Sequence, residues 1–276
     1  MAKSKKKAIL EPEEPEEPEE PEEESDVKTP PKGKGNIPYD VFEKALDNAC
    51  ITFAVCSKRN TGKTFMTRQL IRHLAPKYFS NIVVFSKTSH LNGDHDYTEN
   101  VINNFDEPTV RRILDYQQAR TLKNRTAKKP VNVKILVVLD DTIGVVNDGS
   151  KRTNHSDALD EIYSAGRHSG ITLFQSTQFA SKISPTQRAN FDFLCIGITS
   201  EDSLQKLHGC TVGKPYKEFR QYIHENTRDH NFVLYNNLTT NDDERWTIIR
   251  ADPNPKKFVL KSNGVTKSKR SKQIQL

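Results

Sequence analysis

The sequence predicts an α/β fold, a mostly parallel β-sheet flanked by helices, with a compositionally biased tail at each end. Three observations carry this. An apolar run at 51–56 enters the polar loop Ser57-Lys58-Arg59-Asn60-Thr61-Gly62-Lys63-Thr64, which leads into a helical pattern at 65–74. A second run, Ile135-Leu136-Val137-Val138-Leu139, is the strongest buried-strand signal in the chain and ends in Asp140-Asp141. Further short β-branched runs alternate with helix-length amphipathic segments, the pattern of strands joined by crossover helices.

Strand, loop and helix in that order form the context of a phosphate-binding loop. Backbone N–H groups at a helix N-terminus point at an anion, and the helix dipole favours negative charge there. The spacing makes residues 57–64 a nucleotide cradle. Lys63 is expected to face solvent and reach the β- and γ-phosphates, and the Thr64 hydroxyl to hold Mg²⁺. The usual pattern opens on glycine, where this chain has Ser57. That substitution works if Ser57 stays out of the left-handed backbone region. The bland alternative is a chance Gly-Lys-Thr on a basic helix start.

A length of 276 residues suits one α/β domain with tails, or two small domains. The net charge of +6 is spread unevenly. Residues 1–36 hold seven lysines against eleven acids, whereas residues 256–276 hold seven Lys or Arg and no acid. Tails of opposite sign then bracket a nearly neutral body at 37–255, and a basic tail suits nucleic-acid phosphates or plain solvation. Cys50, Cys56, Cys195 and Cys210 show no paired spacing, which fits free thiols in a reducing compartment and gives no zinc pattern. No apolar run is long enough for a membrane span and no signal-peptide core is present, so the expectation is a soluble intracellular protein.

Lys3, Lys5, Lys6 and Lys7 leave a nuclear address open. Pro12, Pro15, Pro18 and Pro21, separated by glutamates, match the three-residue turn of polyproline II and exclude a helix or a core. Residues 1–36 therefore read as a disordered acidic spacer. Helices are expected at 39–48, 108–123, 157–167 (N-capped by Ser156), 185–190, 201–208 and 216–225. Strands are expected at 82–85, 171–174, 193–197, 231–235 and 246–250, the last two antiparallel. Residues 91–97 and 144–154 read as loops, and Pro253 and Pro255 close the fold before a disordered basic tail at 256–276. Arg120, Lys123, Arg125, Lys128 and Lys129 cluster at one helix end, either facing a nucleic acid or simply solvated.

Carboxylates at the C-terminal end of a central parallel strand sit where open α/β sheets bind ligands. Asp140 is placed to orient Mg²⁺ and Asp141 to position or deprotonate an attacking water; the alternative is a plain strand end. The strand at 171–174 ends in Gln175-Ser176-Thr177-Gln178, polar groups that suit either a γ-phosphate sensor or a turn.

Together these motifs resemble the packaging ATPases of large nucleocytoplasmic DNA viruses, the poxvirus-type branch of the FtsK–HerA superfamily. The resemblance spans about residues 50 to 210. It rests on the loop at 57–64, Ile-Leu-Val-Val-Leu-Asp-Asp at 135–141, and Ala-Gly-Arg-His-Ser-Gly-Ile-Thr-Leu-Phe-Gln-Ser-Thr-Gln at 165–178. The first two motifs occur in many families; the third is the specific one. The resemblance implies a RecA-like P-loop core, hydrolysis of ATP with Mg²⁺, and a homo-oligomeric ring. It further implies translocation of double-stranded DNA into a capsid, in the virion or the host cytoplasm, with a capsid or virion protein as partner. Arg167 resembles an arginine finger given to a neighbouring subunit, and Gln178 the polar sensor. Ser57 departs from the family's first glycine, and Asp141 stands where cellular relatives carry Glu, one methylene longer. Another P-loop translocase or helicase, a small-molecule kinase, and a nucleotide-gated DNA-binding scaffold remain alternatives; DNA-stimulated ATP turnover separates the motor from the scaffold.

Overall fold

The computed structural model describes residues 36–142, 146–148, 151–153, 156–252 and 256–260. The acidic spacer at 1–35, Pro253 and Pro255, and the basic tail from Lys261 onward lie outside the described residues.

Strand β1 (Thr52–Cys56) is buried along its whole length. It follows α1 (Tyr39–Asn48) and leads through the polar loop into α2 (Lys63–Tyr78). Next come β2 (Asn81–Ser86), a single turn α3 (Ser89–Asn92), a two-residue strand β3 (Val101–Ile102) and the long α4 (Glu107–Arg125). Asp106 N-caps α4 by accepting from the Thr109 N–H at 2.9 Å, with Pro108 in the first turn. Strand β4 (Ile135–Asp140) carries the acid pair. The stretch 144–154, expected as a loop, contains an antiparallel pair, β5 (Val146–Asp148) and β6 (Lys151–Thr153).

Ser156 caps α5 (Asp157–Ser169) as expected, accepting from the Leu159 N–H at 3.1 Å. Strand β7 (Ile171–Thr177) runs three residues past the expected end at Phe174 and is buried throughout. It keeps its ladder because β1 and β4 pair with it on both sides. The chain continues through α6 (Pro185–Ala189), β8 (Phe193–Ile196), α7 (Glu201–His208) and α8 (Tyr216–Asn226). It ends with β9 (Asn231–Asn236), a short α9 (Asp242–Arg245) and β10 (Trp246–Arg250).

Eight strands form one sheet in the order β10-β9-β8-β1-β7-β4-β2-β3. Strands β8 through β3 are parallel, and β9 and β10 extend the β8 side as an antiparallel edge. Strand residues alternate between faces. Phe53, Val55, Leu136, Val138 and Phe174 pack with α1 and α2 on one face. Ala54, Cys56, Val137, Leu139, Leu173 and Leu194 pack with α4, α5, α7 and α8 on the other. Burial on both faces is why the central strands read as continuous apolar runs rather than alternating ones.

Residues 256–260, assigned by sequence to the tail, pack against the body: Leu260 donates its N–H to Tyr97 O at 3.0 Å, and the Phe258 ring stacks on Tyr97. Among the described residues no helix is long and apolar enough to cross a membrane.

Candidate nucleotide site

Parallel strands in this order put the C-terminal ends of β1, β7 and β4 side by side. The loop after β1 and the acids after β4 thus flank β7, although Asp140 lies 76 positions after Thr64 in the chain.

The loop is held by its own polar atoms. Ser57 is fully buried; its N–H donates to Thr177 O at 3.1 Å and its hydroxyl to Thr61 Oγ1 at 2.7 Å. It is absent from the residues with positive φ, so this position does not need glycine. The glycine requirement has moved across the site instead. A Cβ on Gly197 would come within 2.4 Å of Ser57 Oγ and 2.7 Å of the Phe232 ring. Asn60 (φ 57°) and Gly62 (φ 96°) turn the chain through left-handed conformations into the N-terminus of α2. Lys58 donates its N–H to Ile198 O at 2.7 Å, tying the loop to the end of β8. Thr64, in the first turn of α2, is half-buried.

Lys63 does not face solvent as expected. It is 9 % exposed, and its Nζ donates to Lys58 O at 2.7 Å within the loop's concavity. Burial lowers its pKa, and the nearby charges of Asp141 and Asp140 act against that shift. The side chain is thus an inward-facing cation, parked on a backbone carbonyl and electrostatically coupled to both acids.

The acid pair diverges at the strand end. Asp140 accepts from His95 Nε2 at 2.9 Å through Oδ2 and from the Ser176 hydroxyl through Oδ1. Burial pushes its pKa up, but the His95 and Ser176 hydrogen bonds and the Lys63 charge win, holding it below the usual carboxylate value. Asp141 takes a left-handed conformation (φ 49°) and donates its N–H to Ser176 O at 3.1 Å. That turn brings its carboxylate round to the same region. Its Oδ2 accepts from Gln178 Nε2, whereas its Oδ1 is buried without a protein partner.

Gln178 links the two halves of the site. Its amide donates to Asp141, and its Oε1 accepts from Arg59 Nε at 3.2 Å. The neighbouring polar residues on β7 divide by strand alternation. Ser176 turns to Asp140, whereas Gln175 points to the helix-covered face and accepts from the Tyr163 hydroxyl. Gln175 is therefore a packing residue.

Arg167 is not brought to this cluster. It sits exposed in the last turn of α5, beside Asp192, at the N-terminal ends of β1, β7 and β8, the opposite edge of the sheet. A pocket of about 150 Å³ opens there, lined by Thr52, Arg167, Asp192 and Asn237 among others.

Among the described residues no three His, Cys, Asp or Glu side chains converge as a metal cage. Mg²⁺ characteristically needs none, being held by one or two protein ligands, waters and substrate phosphates. Asp140, with two donors already fixing it, the Thr64 hydroxyl at the start of α2 and the orphaned buried Oδ1 of Asp141 fit that chemistry.

Sequence reasoning missed His95, Tyr97 and the part played by Ser176. By sequence the Asp94-His95-Asp96-Tyr97 stretch reads as a plain loop. Its signal was position: it follows β2, whose C-terminal end lies beside that of β4, at the edge where such sheets bind ligands.

The sequence matches no protein-family model and no curated protein. The fold is similar to solved structures of the genome packaging NTPase B204 from Sulfolobus turreted icosahedral virus 2. The complex with ATP-gammaS has a TM-score of 0.50 at 16 % identity, covering 73 % of this chain and 97 % of that one. The complex with AMPPCP has a TM-score of 0.51 at 15 % identity, covering 74 % and 98 %. B204 from Sulfolobus turreted icosahedral virus, described as a DNA-packaging ATPase, has a TM-score of 0.50 at 14 % identity, covering 73 % and 98 %. The chain has the fold of these P-loop ATPases, a mostly parallel sheet flanked by helices.

Proposed function

We propose that this protein is an ATP-hydrolysing motor that drives double-stranded DNA into a viral capsid. The observation that carries the reading is the convergence of the loop at 57–64, the Asp140–Asp141 pair and Gln178 at one sheet edge, with Gln178 hydrogen-bonded to both Asp141 and Arg59. Fold similarity to the B204 packaging NTPase supports it, and so does the Arg167-to-Gln178 motif, which resembles the poxvirus-type branch of the FtsK–HerA superfamily.

In this reading the N–H groups of residues 58–64 and the start of α2 bind the phosphates. Lys63 leaves the Lys58 carbonyl and pairs with the β- and γ-phosphate oxygens. Thr64 and Asp140 would hold Mg²⁺, which when bound offsets phosphate charge. Asp141 orients the attacking water and accepts its proton, and Gln178 reports whether the γ-phosphate is present by exchanging its bonds to Asp141 and Arg59. Arg167, on the far edge, reaches a nucleotide only in another subunit, so the reading requires a ring. The basic residues from Lys261 onward contact DNA phosphates without reading sequence, as a motor passing every sequence requires.

ATP turnover by the full chain, with and without duplex DNA, tests this reading. Stimulation by DNA of any sequence is expected, and removal of 261–276 should weaken DNA binding and flatten its salt dependence by about 0.9 per lost phosphate contact. Nucleotide binding without turnover, unchanged by DNA, would favour the scaffold instead.

A further inference from the structure

Asp140 is gripped by a chain of side chains that the catalytic reading does not use. His95 is 1 % exposed. Its Nε2 lies 2.9 Å from Asp140 Oδ2 and its Nδ1 lies 3.0 Å from the Tyr97 hydroxyl. An ionised carboxylate only accepts, so Nε2 carries the proton, which fixes the ring's orientation. Tyr97 is itself 2 % exposed and is held from outside by the segment 256–260. The Phe258 ring stacks on it at 4.9 Å with 9° between planes, and its carbonyl accepts from the Leu260 N–H at 3.0 Å. With Ser176 on the other oxygen, the carboxylate has both oxygens tethered.

Resting on the functional reading above, we propose that His95 is a positioning residue for the metal site, locked by Tyr97 and by the Phe258 strap, and that it presets Asp140 in the orientation that holds Mg²⁺. Metal-binding carboxylates work within a narrow geometry, and the groups that hydrogen-bond to them set it; removing such a partner typically weakens metal binding about 10–100-fold. A histidine serving only to fill the core would touch apolar neighbours or backbone carbonyls. Here both ring nitrogens meet functional side chains, and one of these belongs to the acid pair. The strap, two side chains away from the carboxylate, directly precedes the basic residues from Lys261 onward in sequence.

The test is an electron paramagnetic resonance titration of Mn²⁺ into the full chain with AMPPCP, alongside AMPPCP binding in EDTA and the melting temperature. His95→Ala is expected to weaken Mn²⁺ binding about 10–100-fold while metal-free AMPPCP binding stays as in wild type. His95→Gln, which keeps a donor at similar reach, recovers most of it. Tyr97→Phe keeps the ring and removes one hydrogen bond, and is expected to weaken Mn²⁺ binding about two- to tenfold. Wild-type Mn²⁺ affinity in His95→Ala, with or without a lower melting temperature, overturns the proposal and leaves His95 a packing residue. If His95→Ala does not fold, Tyr97→Phe decides: weaker binding upholds the proposal and wild-type affinity overturns it. A wild-type chain that binds no Mn²⁺ with AMPPCP overturns the functional reading and this inference together.

Discussion

The two ends of the parallel strands do opposite electrostatic work. At the C-terminal ends, a buried cation and two acids share one site: Lys63, Asp140 and Asp141, the last hydrogen-bonded to Gln178. At the N-terminal ends, cations point outward. Arg167 is exposed, Arg125 donates to His168 O at 3.1 Å, and Lys123, Lys128 and Lys129 are exposed beside them. Each end also holds a half-buried aspartate, and the two respond differently to their surroundings. Asp140, given His95, Ser176 and Lys63, stays below the usual carboxylate value. Asp192 is raised by burial, even though it accepts from the Thr52 N–H at 2.7 Å and hydroxyl at 3.0 Å and feels the charge of Arg167. One edge holds the Asp140 carboxylate ionised beside an inward cation. The other tolerates a carboxylate and offers its cations outward.

Lys63→Ala should break the first edge most completely. It removes a cation coupled to both acids, so ATP turnover should vanish while the melting temperature stays close to wild type; measurable turnover would contradict the phosphate-site assignment. Arg167→Ala tests the second edge, with an expected loss of about 10³-fold in rate. Because Arg167 lies across the sheet from its own loop, mixing Arg167→Ala chains with Lys63→Ala chains should restore activity. Mixed oligomers that stay inactive would make Arg167 a local partner of Asp192.

Asp141→Asn separates roles within the first edge. Hydrolysis should fall by about 100-fold or more with ATP affinity nearly unchanged, whereas Asp140→Asn should weaken the Mg²⁺-dependent part of binding. Equal effects of the two on hydrolysis and on metal-dependent binding would show that the two acids share one role.

The smallest expected effect compares the two half-buried aspartates by pH. Asp140 has a folded pKa below its unfolded one, so its contribution to stability is present above about pH 4 and is lost as pH falls through the lower folded value. Asp140→Asn should therefore lower the melting temperature at pH 7, by the equivalent of about 1.5–3 kcal/mol, and the deficit should shrink on acidification. For Asp192 the sign reverses. Its folded pKa is raised, so stability is lost as pH rises from the unfolded value through the folded one. Asp192→Asn should gain on wild type across that rise. Parallel melting curves for both variants from pH 3 to pH 7 check this, and equal slopes would show that the two environments are not electrostatically different.

Much of the fold was readable because it is local. The first strand, the loop and the start of α2 are contiguous, and the Ser156 cap and the 39–48 helix sit where their residues predict. The failures came where distant partners decide. Strand β7 continues through Gln175-Ser176-Thr177 because β1 and β4 supply hydrogen bonds on both sides, overriding a composition that reads as a turn. Strand β3, two residues long, exists only as a partner for Val84 and Phe85. Residues 256–260 have tail-like charge yet pack on Tyr97, which lies about 160 residues earlier in the chain.

What the sequence by itself determined is the set of groups available at the site: a polar loop between strand and helix with its lysine and threonine, two acids after a buried strand, and a glutamine and an arginine in one motif. Those follow from residue type and near-neighbour spacing, which local backbone geometry converts directly into position. The tertiary structure alone decided which of these groups meet. Strand order put β7 between the loop and the acids, so that Gln178 bridges them while Arg167 ends at the opposite edge. Packing drew Lys63 inward. It also carried His95 onto Asp140, a contact across 45 positions fixed by the pairing of β2 with β4. Such contacts depend on which strands lie side by side, and that is set by the burial of both sheet faces across the whole chain rather than by any one segment of it.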